Sequence, residues 1–142
     1  MRDAASTNDR IYVAVVDDDE SLCRSFSRLL RAAGFQAVTY ASAEAFLQDT
    51  KRPQFDCLVL DVQLPGMSGL ELSQSRASVG DATPVIFLTA YDEPEPRSQA
   101  TAFGCSGFFN KNAPGELVLK AIRHAVHRCA PDGAGAGVRT LP

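Results

Sequence analysis

The sequence predicts an α/β domain, a doubly wound parallel sheet with helices on both faces, and three observations carry that prediction. Short runs rich in β-branched residues alternate with stretches of helical periodicity, five of each. Most of these runs are apolar throughout, as in strands buried on both faces, rather than alternating apolar with polar. Strand–helix–strand repetition then imposes parallel pairing through right-handed crossovers.

The elements follow in order. Residues 11–16 (IYVAVV) form a first strand that ends in Asp17-Asp18-Asp19. Leu22, Phe26, Leu29 and Leu30 recur at helical spacing, and Gly34 supplies a natural stop. Residues 35–40 make a second strand, and Ser42 caps a short helix over 43–48 with Glu44 in its first turn. Residues 57–60 (CLVL) read as a central strand. Pro65-Gly66-Met67-Ser68-Gly69 is a loop before a helix near 70–78. Residues 85–88 (VIFL) form a fourth strand, and a proline-containing loop leads to a helix ending near Phe103. Residues 107–110 form the last strand. The helix over 114–128 is expected to bury Leu117, Ile122 and Val126. Residues 1–9 read as a disordered N-terminal segment, 10–128 as the domain, and the Gly/Ala-rich 129–142 as a tail or linker.

Bulk properties narrow the function. Fourteen basic residues stand against 17 acidic, a net charge of −3 with no basic block, so direct nucleic acid binding is not expected. No apolar run approaches the roughly 20 residues of a membrane span, and the N-terminus lacks a secretory apolar stretch. A cytoplasmic location is the expectation. Cys23, Cys57, Cys105 and Cys129 show neither a C-x-x-C pair nor a neighbouring ligand set, which argues against zinc and disulfides. His124 and His127 share a helical face without a third ligand and read as a solvated last turn.

In open parallel sheets the functional site lies beyond the carboxyl ends of the strands. The residues that follow those ends are Asp17 and Asp18, then Asp61, Thr89 and Lys111. Any one of them has a plain explanation as a cap or turn residue. Their convergence on a single edge does not. Three crowded carboxylates and one lysine leave excess negative charge, which a divalent, oxygen-seeking ion relieves, and Mg²⁺ fits such ligands. With that ion an aspartate becomes a nucleophile toward phosphorus, with Lys111 and Thr89 placed to steady the phosphoryl oxygens. Asp61, at the end of the central strand, is the candidate phosphoacceptor.

These residues carry a family resemblance. Val15-Val16-Asp17-Asp18-Asp19, the run from Leu60-Asp61 through Pro65-Gly66-Met67-Ser68-Gly69, Phe87-Leu88-Thr89-Ala90, and Lys111 together resemble the response regulator receiver domain of two-component systems. The wording is similar to the FixJ-like branch. The resemblance implies a flavodoxin-like (CheY-like) sheet of order 2-1-3-4-5 with five helices. It implies metal ligation by Asp17, Asp18, Asp61 and the Gln63 backbone carbonyl, and switching by Thr89 and Phe108. It also implies a sensor histidine kinase as phosphodonor and an output domain or downstream partner. The last two helices and their strand would serve that partner, or a homodimer. On this reading the chain is a phosphoacceptor that undergoes slow autodephosphorylation, not a turnover enzyme. Gln63 agrees, since a phosphohydrolase usually places an acid two residues past its nucleophile.

One residue departs from the pattern. Most receivers have proline after the lysine, whereas Asn112 stands here. A cis bond before a non-proline residue costs about 2.5–4 kcal/mol, so a trans Lys111–Asn112 bond is expected. Asn112 also keeps open a second reading, a pseudo-receiver that binds partners without phosphorylation. Phe108, beside Gly107, has core packing as its plain alternative, and Phe109 should face the other side of the sheet.

Overall fold

The computed structural model describes residues 11–89 and 107–128. Its five strands are β1 (Tyr12–Val16), β2 (Gln36–Tyr40), β3 (Cys57–Asp61), β4 (Val85–Thr89) and β5 (Gly107–Asn110). Its four described helices are α1 (Glu20–Ala32), α2 (Ala43–Gln48), α3 (Gly69–Ser78) and α4 (Gly115–Arg128). The strands form one parallel sheet in the order β2-β1-β3-β4-β5. The helix expected between β4 and β5, its loop at 91–97, Cys105, Cys129 and both terminal segments fall outside the described residues.

Side chains alternate across each strand and feed two cores. Val13, Val15, Cys57, Val59, Ile86 and Leu88 meet Cys23, Phe26 and Leu30 of α1 and Val118, Leu119 and Ile122 of α4, with Phe109 packed against them. Ala14, Val16, Leu58, Leu60 and Phe87 face the other way, against Phe46, Phe55 and Leu72. Phe108 packs on that second core, so the two neighbouring phenylalanines face opposite sides as expected. Every residue of β3 and β4 is buried, which explains their unbroken apolar runs.

The helix ends follow local chemistry. Asp19 caps α1 by accepting from the N–H groups of Ser21 and Leu22, and Ser42 caps α2 by accepting from Ala45 N–H. At α3, Ser68 and Glu71 cap each other reciprocally. One expectation for α4 is corrected: Leu117 is 50% exposed. The helix buries Val118, Leu119 and Ala125 together with the expected Ile122, and Val126 packs partly buried against the same core. His124 and His127 lie in solvent as anticipated.

Candidate functional site

Register assembles the carboxyl edge. Val16 pairs with Leu60, so the next residues, Asp17 and Asp61, stand level on adjacent strands. The ladders continue past the strands: Asp17 N–H donates to Tyr40 C=O at 3.0 Å, Val62 N–H to Leu88 C=O at 2.9 Å, and Lys111 N–H to Thr89 C=O at 2.8 Å. These bonds fix the backbone from which the polar side chains project.

The three consecutive aspartates take three different roles. Asp17 is 1% exposed, and its Oδ1 accepts from Asp19 N–H at 2.9 Å. Asp18 is exposed, and Asp19 is spent on the α1 cap. Carboxylate oxygens of Asp17, Asp18 and Asp61 lie within 4.8 Å of one another. Asp61 is buried, with Oδ1 accepting from Gln63 N–H at 3.0 Å and Oδ2 from the Lys111 ammonium at 2.7 Å. The same ammonium lies 3.0 Å from Asp17 Oδ2 and 3.3 Å from its Oδ1.

Electrostatics follow from this crowding. Burial pushes the Asp17 carboxyl above its ordinary value, opposed by the Asp19 N–H and Lys111 and assisted by the Asp61 charge. Burial alone would lower Lys111, but its hydrogen bonds to Asp61 and Asp17 outweigh that and raise it. Asp17 Oδ2 is buried and, although the ammonium is close, receives no aligned hydrogen bond from the described residues. Three carboxylates facing one ammonium, with a buried oxygen lacking a donor, suit a hard divalent cation with oxygen ligands. Asp17, Asp18 and Asp61 are the residues able to hold it.

The remaining expected residues lie on β4, on β5 and in the turn that follows it. Asp61 pairs with Leu88, so Thr89 ends the neighbouring strand one residue beyond the level of Asp61. By strand alternation it belongs to the side of Phe87 and Phe108. Thr89 is 3% exposed. Phe108 is half-buried with its ring centroid 6.3 Å from that of Phe87. The Lys111–Asn112 bond is trans, as expected. Asn112 N–H donates to Asn110 Oδ1 at 2.8 Å, a bond that proline could not make, and Ala113 N–H donates to Asn110 C=O at 2.9 Å. Asn110 thus closes the turn that carries Lys111.

Sequence reasoning passed over Gly69. A Cβ there would collide with the Asp61 carbonyl oxygen and lie 3.3 Å from Leu60 Cβ. Gly69 N–H also donates to Val62 C=O at 3.2 Å. The start of α3 is therefore pressed against the backbone of Asp61, and only glycine fits. The signal was a glycine where a helix begins, easily taken for a loop residue.

Fold and edge together define a doubly wound α/β domain with an acidic pocket, bridged by lysine, at the carboxyl ends of its central strands. The response regulator receiver domain model matches residues 13–123, and the chain belongs to that family. Response regulator protein TmoT of Ectopseudomonas mendocina is 35% identical over 114 residues, covering 80% of this chain and 52% of its own. Nodulation protein W of Bradyrhizobium diazoefficiens is 36% identical over 119 residues, 84% of this chain and 52% of its own. The chain thus spans about half the length of these curated relatives. The crystal structure of FixJ-N superposes with a TM-score of 0.76 at 28% identity, covering 84% of this chain and 96% of that one. Resemblance to the FixJ-like branch is borne out. No helix among the described residues is long and apolar enough to cross a membrane.

Proposed function

We propose that the chain is a phosphorylation switch in which Asp61 accepts a phosphoryl group from the phosphohistidine of a sensor histidine kinase. The observation that carries this reading is the placement of Asp61 Oδ2 2.7 Å from the Lys111 ammonium, within a cluster that includes Asp17 and Asp18. In the transfer, a carboxylate oxygen of Asp61 bonds to phosphorus as the donor's P–N bond breaks, and the imidazole leaves with the electron pair. Asp17, Asp18, Asp61 and the Gln63 carbonyl would hold Mg²⁺, which would supply positive charge to the phosphoryl oxygens. Lys111 shifts from the free carboxylate to a phosphoryl oxygen, which keeps its charge paired throughout.

Switching follows from the added charge. Turning the Asp61 carboxylate into an acyl phosphate of roughly −1.5 to −2 adds roughly −0.5 to −1 charge and three acceptor oxygens beside Thr89. The Thr89 hydroxyl turns toward it, and Phe108, half-buried against Phe87, moves inward as Thr89 vacates its side of the sheet. The face around β5 and α4 then engages a downstream partner, an output domain or a second copy of the chain. We place this cycle in the cytoplasm, with slow autodephosphorylation rather than turnover, because Gln63 offers no acid to protonate a leaving group. Asn112, which favoured a reading without phosphorylation, sits in a turn that leaves Lys111 on Asp61. That geometry supports the phosphoacceptor.

Labelling with a small-molecule phosphodonor and Mg²⁺, read by intact mass, tests the proposal. Wild type should gain one phosphoryl group, and Asp61→Asn should gain none. Equal labelling of the variant would refute the assignment of Asp61.

A further inference from the structure

The loop from Val62 to Ser68 joins Asp61 to α3 and carries Gln63. Its two ends are well held. At the start, Gln63 N–H donates to Asp61 Oδ1 at 3.0 Å, and at the end the Ser68–Glu71 capping box closes the helix. Between them Pro65 and Gly66 are exposed. This middle is reached by a side chain from a different element. Glu44, in the first turn of α2, accepts from Met67 N–H through Oε2 at 2.8 Å, a contact across 23 positions.

Gly66 shows that this contact is built in. Its φ is +76°, a conformation that L side chains rarely adopt. A Cβ at Gly66 would lie 2.6 Å from Glu44 Oε2, 3.3 Å from Cδ and 3.4 Å from Oε1. The carboxylate therefore lies against the bare backbone of Gly66 while it grips the N–H of Met67. The Met67 N–H in turn holds the Glu44 carboxyl below its ordinary value.

We infer that Glu44 is a positioning residue for the phosphoacceptor site: its carboxylate, docked on Gly66 and bonded to Met67 N–H, holds the loop that presents Gln63 beside Asp61. This rests on the proposed role of Asp61 and of the Gln63 carbonyl. Glu44 touches neither phosphate nor metal. Its effect is preorganisation, since a loop already held need not be ordered when ligand arrives.

Two readouts separate the inference from the reading beneath it. The first needs no metal: amide hydrogen exchange at Met67 in the metal-free chain. Glu44→Ala should cut protection there by about three- to tenfold, the scale of one lost hydrogen bond. Glu44→Gln, which keeps an acceptor oxygen, should restore most of it. The second is the Mg²⁺ dissociation constant by calorimetry, expected to rise about three- to tenfold in Glu44→Ala and to recover in Glu44→Gln, with the denaturation midpoint near wild type. Gly66→Ala completes the set. The φ penalty is common to both backgrounds, but the collision needs the carboxylate, so this change should weaken Mg²⁺ binding more in wild type than in Glu44→Ala. Unchanged Met67 protection in Glu44→Ala overturns the clamp, as does lost protection with unchanged Mg²⁺ affinity. A wild-type chain that binds no Mg²⁺ overturns the functional reading instead, and the Met67 result still decides whether Glu44 holds the loop.

Discussion

Replacing Lys111 with methionine removes the one ammonium found in the carboxylate cluster among the described residues while keeping most of its side-chain length. That ammonium lies 2.7 Å from Asp61 Oδ2 and 3.0 Å from Asp17 Oδ2, with the lysine side chain 19% exposed and the carboxylates 5% and 0%. Removing one partner from a buried pair leaves an uncompensated charge and costs about 3–5 kcal/mol. The lysine's partial exposure puts Lys111→Met at the lower end, about 3 kcal/mol, or on the order of 10 °C in Tm for a domain of this size. Urea and thermal unfolding at pH 7, in chelator and in Mg²⁺, measure it. The deficit should be largest in chelator and narrow with Mg²⁺, because a bound cation replaces the missing charge.

The pH dependence has a definite sign. Lys111 is raised above 10.5, so its stabilising contribution is present below that value and is lost only as pH rises through the folded pKa. It therefore operates throughout the neutral range. The Asp17 carboxyl is raised above 3.8, chiefly by burial, so its contribution is present below 3.8 and lost as pH rises through the folded value. Losing Lys111 raises Asp17 further, and the deficit of Lys111→Met in chelator should shrink as pH falls from 7 toward that raised value. A deficit below about 1 kcal/mol, or one indifferent to both pH and Mg²⁺, would refute a desolvated charge cluster held by this lysine.

Three other substitutions probe the pocket, its backbone support and the switch. Asp18→Asn removes an exposed acid, so metal-free stability should change by no more than about 0.5 kcal/mol while Mg²⁺ affinity falls in calorimetry; unchanged affinity would remove Asp18 from the ligand set. Gly69→Ala drives a methyl group onto the Asp61 carbonyl and should cost about 1–3 kcal/mol in denaturant unfolding, with slower labelling of Asp61. Phe108→Ala should cost roughly 1–2 kcal/mol, below the 3–5 of a fully buried ring, and leave labelling near wild type while weakening phosphorylation-dependent partner binding. Equal loss of labelling and partner binding would undo the separation of acceptor from switch.

Some elements could be read with little ambiguity. β3 and β4 are unbroken apolar runs because both sheet faces are covered, and that condition leaves a direct mark on sequence. Ser42 announces α2 because capping is a contact over three positions, whereas Ser68, read as part of a loop, proves to cap α3 with Glu71. The stripe of α4 was harder. Apolar residues stand at Leu117, Val118 and Leu119 in succession, and pattern alone does not decide which of them meets the sheet. Contact with α1 and β3 selects Val118 and Leu119 and leaves Leu117 in solvent.

By itself the sequence determined the alternation of strands and helices, their parallel pairing, and which acids, hydroxyl and amine follow the strand ends, because each of these is written in residues close along the chain; the strand order was implied by the family resemblance. Only the tertiary structure decided how Asp17, Asp18 and Asp19 divide into a buried acid, an exposed acid and a helix cap. It also decided that Lys111 bridges Asp17 across 94 positions, that Gly69 yields space to the Asp61 carbonyl, and that Glu44 reaches Met67. The physical reason is range. Propensity and capping act within a turn or a strand, whereas a carboxylate's solvation and partners depend on which distant backbone the sheet register brings beside it.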